Sequence, residues 1–155
     1  RRLAESRVPF IRVGRAWWDS HGQNFETHQE MVPELDHVLS ALLDDLRQRG
    51  MLDNTLVVVM GEFGRTPEIN ASLGRDHFSR AWSALMSGCG VKDGAIFGAT
   101  DKHGQEVIDG EVGAGELFAT MLNAVGIQHD KNYYVGPRPI PLVNYGIEPI
   151  HQILT

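Results

Sequence analysis

Asp19 and His21 stand two residues apart in the run Trp17-Trp18-Asp19-Ser20-His21-Gly22-Gln23-Asn24. In extended backbone such a pair points to one side, with Cα atoms about 6.6 Å apart. A carboxylate oxygen and an imidazole nitrogen can then meet at one cation, at about 2.0–2.2 Å if it is zinc. The plainer assignment, a turn or helix-entry aspartate beside a loop histidine, is the commoner one for so short a pattern. Glu62 carries more information. It follows the apolar run Leu56–Met60 and lies between Gly61 and Gly64. A carboxylate at the end of a strand is held rigidly, and the glycines let other groups approach. The alternative is a solvated Glu in a tight turn.

Arg65 shares that loop and offers a planar fork suited to phosphate or sulfate, or to an ordinary ion pair. His77 follows Arg75 and Asp76, and Asp76 is a neighbouring carboxylate of the kind that orients the second nitrogen of a metal-bound imidazole. A capped or surface histidine fits the same residues. His28 is an alternative imidazole partner for Asp19, but it begins a helix and is expected to be exposed. His37, His103, His129 and His151 have no companion carboxylate pattern. Trp17 and Trp18 suit a core or a pocket wall. Other chemistries lack their motifs. Ser87-Gly88-Cys89-Gly90 is not a nucleophile elbow, and Gly88, Gly90 and Gly94 have the wrong spacing for a phosphate-binding fingerprint.

The elements that must position these residues are legible from periodicity. Met31, Val32, Leu35, Val38, Leu39, Leu42, Leu43 and Leu46 follow one face of a helix from about His28 to Arg49. Gly50 supplies its stop, and Pro33 falls near the first turn, where a missing N–H costs least. Asn54–Met60 is a β-branched run suited to burial on both faces of a parallel sheet. Leu3 and Ala4 fit a helix end, Val8–Val13 alternates like a strand, and Ala81–Met86 suits another. Gly115–Val125 reads as a second amphipathic helix with Leu117, Phe118, Met121, Leu122 and Val125 on one side, and Ile147–Leu154 as a short closing helix. Strand, long helix and buried strand in succession argue α/β architecture. In such sheets, ligands bind beyond the carboxyl ends of the strands.

With 155 residues, 42% of them hydrophobic, the chain is long enough for one domain with a sizeable core. Its net charge of −6 offers no basic field for nucleic acid or an anionic membrane. No apolar run approaches the roughly 18 to 20 residues of a membrane span. Cys89 is the single cysteine, which excludes an internal disulfide, a Cys-rich zinc module and a CxxC redox pair. The opening residues carry no signal-peptide pattern, which says nothing about where the intact protein resides, and a helix end running straight into a strand suggests a start inside a larger domain.

The order Trp-Asp-Ser-His-Gly-x-Asn, then Leu35-Asp36 and Leu42-Leu43-Asp44-Asp45-Leu46, resembles a family of uncharacterised bacterial proteins, domain-of-unknown-function family 1501. The likeness continues through Thr55–Pro67 with its Gly-Glu-Phe-Gly-Arg-Thr-Pro run, Gly74-Arg75-Asp76-His77 and Gly98-Ala99-Thr100-Asp101. It reaches to about Ile150. The family is sulfatase-like, placed near the alkaline phosphatase and sulfatase superfamily. The resemblance implies the C-terminal part of a three-layer sandwich with a mainly parallel sheet, residues 1–155 forming one fragment whose partner is the N-terminal half of the same domain. It implies a hydrolase of small-molecule or glycan phosphate or sulfate esters that uses a divalent metal (zinc, calcium or manganese). By position, Asp19, His21 and His77 look like one metal's ligands, Glu62 like the ligand at a second metal, and Arg65 like an oxyanion clamp. The superfamily usually has Asp-His where this chain has Glu62-Phe63, and phenylalanine cannot ligate. The usual nucleophile lies upstream of Arg1, so the fragment alone is expected to be inactive. Export to the periplasm is a further implication. The competing expectation is a binding or scaffold protein that kept the fold without the chemistry.

Overall fold

The longest element forms where the three-and-four spacing is clearest. In the computed structural model, which describes residues 1–155, helix α1 spans Arg2–Glu5 and helix α2 spans Asn24–Gln48. Met31 and Leu46 are buried, whereas Val32 and Val38 on the expected apolar stripe are exposed. The helix begins four residues earlier than periodicity suggests, because its first amides find partners far away in sequence. Gln23 N–H donates to the Ser72 carbonyl at 3.1 Å and Asn24 N–H to that of Leu73 at 2.9 Å, satisfying donors a helix start leaves unpaired. Pro33 therefore lies inside the helix rather than in its first turn. At the far end Gly50 takes φ 66°, and Met51 N–H returns to the Leu46 carbonyl at 2.8 Å, as a left-handed cap requires.

A short 3-10 turn, Leu52–Asn54, leads into strand β1, Val57–Val59. Strands β2 (Gly64–Arg65), β3 (His77–Phe78), β4 (Leu85–Ser87), β5 (Ala99–Thr100) and β6 (Val107–Asp109) follow, then helix α3 (Ala114–Ala124). Strands β7 (Asn132–Val135) and β8 (Arg138–Pro141) and a 3-10 turn at His151–Ile153 complete the chain. The pairs are β1 with β4, β2 with β3, β5 with β6 and β7 with β8, all antiparallel and each a separate two-stranded sheet.

This overturns the expected α/β three-layer sandwich with a mainly parallel sheet. A parallel pair needs a crossover of a dozen or more residues, usually a helix. Between β1 and β4 there is no helix, only the short β2–β3 pair, so the valine run finds an antiparallel partner and stays half-buried. The segment Val8–Val13 forms no strand. Phe10 is 79% exposed and Val13 89%. The strand expected at Ala81–Met86 is confined to Leu85–Ser87, and the closing helix shrinks to the 3-10 turn.

Helix α3 agrees in extent with its amphipathic pattern, but its buried positions are Ala119 and Thr120, while Phe118 and Val125 are exposed. The Thr120 hydroxyl donates to the Glu116 carbonyl at 2.6 Å and accepts the Ile150 N–H at 2.8 Å. That tie docks the C-terminal segment on the helix. Only 12 of 155 residues are buried, so the sizeable core expected from length is not formed. No helix is long and apolar enough to cross a membrane.

Candidate metal centre

Three loop segments build the site. The first, Asp19–Gln23, is pinned at its base by the buried Ser20, whose hydroxyl donates to Asn24 Oδ1 at 2.8 Å at the start of α2. The second runs from Asn70 to Asp76 and lies against the first. Gly22 bridges Leu73 in antiparallel fashion, and Arg75 N–H donates to the Ser20 carbonyl at 3.0 Å. The contact is close enough to dictate a residue. A Cβ on Gly74 would sit 1.9 Å from the His21 carbonyl carbon, so only glycine fits. The third segment is the β2–β3 pair, whose register sets Arg65 opposite His77. Arg75 anchors it by donating from Nη1 to the Thr66 and Pro67 carbonyls at 2.6 and 2.7 Å.

Asp19, His21 and His77 converge at the meeting point. Asp19 Oδ1 lies 2.9 Å from His21 Nε2 and 3.0 Å from His77 Nε2. The two Nε2 atoms are 3.2 Å apart. A tetrahedral zinc site with bonds of about 2.0–2.1 Å has ligand atoms about 3.3 Å from one another. The triangle is therefore close to the size one face of such a site requires. One carboxylate and two imidazoles also form a familiar catalytic donor set that leaves a position open. The residues fit a divalent ion.

The surrounding groups orient this triangle. Asp76 Oδ1 lies 2.8 Å from His21 Nδ1, so an Nδ1–H donated there leaves Nε2 with a lone pair facing Asp19 and His77. The Phe63 ring packs on His77, with centroids 4.3 Å apart. Arg65 sits over Phe63, its Cζ 5.5 Å from the ring centre, and donates from Nη1 to Asp19 Oδ1. The Arg65 hydrogen bond, then that of His77, hold the Asp19 carboxyl below its ordinary range. His21, then Asn70, do the same for Asp76. Both carboxylates are thus kept ionised, the state needed to bind or support a cation.

Of the expected site residues, the fold brings Asp19, His21, His77 and Arg65 together. Glu62 stands apart, 69% exposed, with Oε1 3.9 Å from Arg65 Nη2. Asp76 serves His21 rather than its neighbour His77. Phe63, noted only as a non-ligand, is the wall behind His77. His28 lies within α2 and stacks on Trp18 at 5.6 Å. A groove of about 510 Å³ opens beside His77, lined by Thr66, Glu68, Asn70, Arg80 and Gln105 among others. Sequence reasoning missed Asn70, although an Asn ahead of Ser72 and Gly74 is a turn signal.

The sequence matches a family described as Protein of unknown function (DUF1501) over residues 1–154. No curated protein and no solved structure matches the chain.

Proposed function

From the premise that the chain belongs to the DUF1501 family, we propose that Asp19, His21 and His77 hold a divalent metal and that the protein hydrolyses phosphate or sulfate esters. One observation carries the reading: three ligating atoms of the right chemistry converge at 2.9–3.2 Å, two from the Asp19–His21 segment and one from His77, far away in sequence. The resemblance of the sequence motifs to sulfatase-like proteins is what favours the ester class, while the fold lends it no support. A bound divalent ion would supply a Lewis acid that polarises the ester oxygen and lowers the pKa of a bound water.

The chain's own groups supply the rest. Asp76 keeps the His21 ring turned toward the cluster. Phe63 fixes the His77 ring and keeps water from that face. Arg65 has further N–H donors beyond the one given to Asp19, directed along the loop that holds Glu62, and these offer the clamp for developing negative charge. The polar groove beside His77 suits a hydroxylated leaving group, such as that of a small-molecule or glycan ester, better than an apolar one.

A second reading has its own observation. Arg65 donates to the Asp19 oxygen that a metal would need, so the cluster also stands as a self-satisfied ion-pair network in a binding or scaffold protein. Turnover of a generic aryl phosphate or sulfate ester by intact protein separates the two. Hydrolysis abolished by a chelator and restored by zinc or manganese is the expected result. Absence of turnover together with absence of metal uptake would establish the network reading.

A further inference from the structure

Asn70 lies outside the ligand triangle, yet its side chain joins every part of the loop that carries it. Its Oδ1 accepts the N–H groups of Ser72 and Gly74, both at 2.9 Å. Its Nδ2 donates to the His21 carbonyl and to Asp76 Oδ1, both at 3.0 Å. The orientation of the amide is over-determined. Two backbone donors require the oxygen on one side, and two acceptors require the nitrogen on the other, so a flipped amide would lose all four bonds. Asp76 Oδ1 in turn meets His21 Nδ1. One amide group thus grips the backbone of His21 and the carboxylate that orients its ring.

We propose that Asn70 is the positioning residue of the metal centre: it locks Asp76 and the His21 backbone together, so that His21 presents Nε2 to a divalent cation. The proposal rests on the metal reading of Asp19, His21 and His77. Its physical basis is that the ring is held through its two nitrogens, Nε2 at 2.9 Å from Asp19 Oδ1 and Nδ1 at 2.8 Å from Asp76 Oδ1. Asp76 must therefore be fixed in place if Nδ1 is to keep the proton and Nε2 is to face a cation. His21 is half-exposed, and its packing neighbour is the equally exposed His77 ring at 4.8 Å. Without the amide, the Asp76 carboxylate would be free to turn toward water, and the ring proton would pass to Nε2, which faces Asp19 Oδ1 at 2.9 Å. Partners of this kind change metal affinity by about 10- to 100-fold.

Asn70→Asp is the discriminating variant. It keeps an oxygen to accept from Ser72 and Gly74, preserving the turn, but replaces the donor by an oxygen facing two acceptors. Zinc affinity of the intact protein, by titration calorimetry, should fall about 10- to 100-fold while circular dichroism stays unchanged. Nitrogen-15 correlation spectra of the neutral His21 ring, recorded without metal, should show the Nδ1–H tautomer in the unsubstituted protein. A shift toward the Nε2–H tautomer, donated to Asp19 Oδ1, is expected in Asn70→Asp and in Asp76→Ala, the second variant keeping the test open if the first does not fold. Unchanged zinc affinity with an unchanged tautomer in a folded Asn70→Asp protein would overturn the proposal, as would an unchanged tautomer in Asp76→Ala. If the unsubstituted protein takes up no zinc, the metal reading fails by itself, and the tautomer spectra still decide the role of Asn70.

Discussion

Asp19 meets three groups through one oxygen, since Arg65 and both imidazoles converge on Oδ1. Removing the guanidinium should therefore divide binding from chemistry. Arg65→Ala is expected to hold zinc at least as tightly as the unsubstituted protein, while ester turnover falls on the order of 100-fold, as for loss of one donor to developing charge. Calorimetry and steady-state assays check the two halves, and a drop in zinc affinity would make Arg65 structural instead. A second residue-scale expectation concerns Asp101, whose carboxyl is held below its ordinary range chiefly by the Gln105 N–H, and then by that of Glu106. A depressed folded pKa stabilises the turn above the ordinary aspartate value, and the benefit is lost as pH falls through the folded value. Amide exchange at Gln105 and Glu106 should accelerate, relative to other amides of the β5–β6 hairpin, once pH drops below about 4. Asp101→Asn, which keeps an acceptor, should exchange with little dependence on pH there. Much at this scale was legible. Asp19, His21 and His77 carry ligating atoms in short polar runs, and such runs advertise themselves. Partnership did not, because Asp76 and His77 are adjacent in extended chain and point to opposite sides. The ring of His21 enters between them, 55 residues away in sequence, with one nitrogen for each.

Helices α2 and α3 were readable because their apolar spacing is local, and the limits of that reading are local too. The start of α2 is set by carbonyls of Ser72 and Leu73, which no pattern near Asn24 reveals. The β7–β8 hairpin went unread although Gly136 takes φ 57° in a two-residue loop, a usual turn position for glycine. The valine run of β1 looked like a central parallel strand because hydrophobic continuity does not encode the direction of a partner. Two substitutions test the elements. Thr120→Val removes the acceptor of the buried Ile150 N–H and should cost about 1–3 kcal/mol by urea denaturation, whereas neutrality would show that the C-terminal segment docks by other means. Gly74→Ala forces the Asn70–Asp76 loop away from His21 and should weaken zinc binding strongly with α2 intact, because a displacement of about 1 Å at a site is worth on the order of 100-fold.

The accessible surface of the whole chain is 11290 Å², against about 7,800 Å² for a compact monomer of this mass. The excess, about 3,500 Å² on this chain alone, is above one partner's share of most permanent interfaces. Much of it is apolar, with Phe10, Val13, Trp17, Phe25, Val32 and Val38 all exposed. A covering polypeptide would bury such a surface. Residues 1–155 alone should bind an apolar dye and unfold with a broad transition. A sharp, dye-free unfolding of the isolated chain would mean that the surface is closed by internal packing. Length and composition could not forecast this, because 42% hydrophobic residues report how much apolar surface exists and not whether it meets a partner.

The most direct measurement is the metal content of purified intact protein compared with Asp19→Ala, His77→Ala and Glu62→Ala. The account predicts one tightly held divalent ion per chain, lost in the first two variants and retained in the third, whose carboxylate stands outside the triangle. Equal metal content in all four proteins, or none in any, would contradict it.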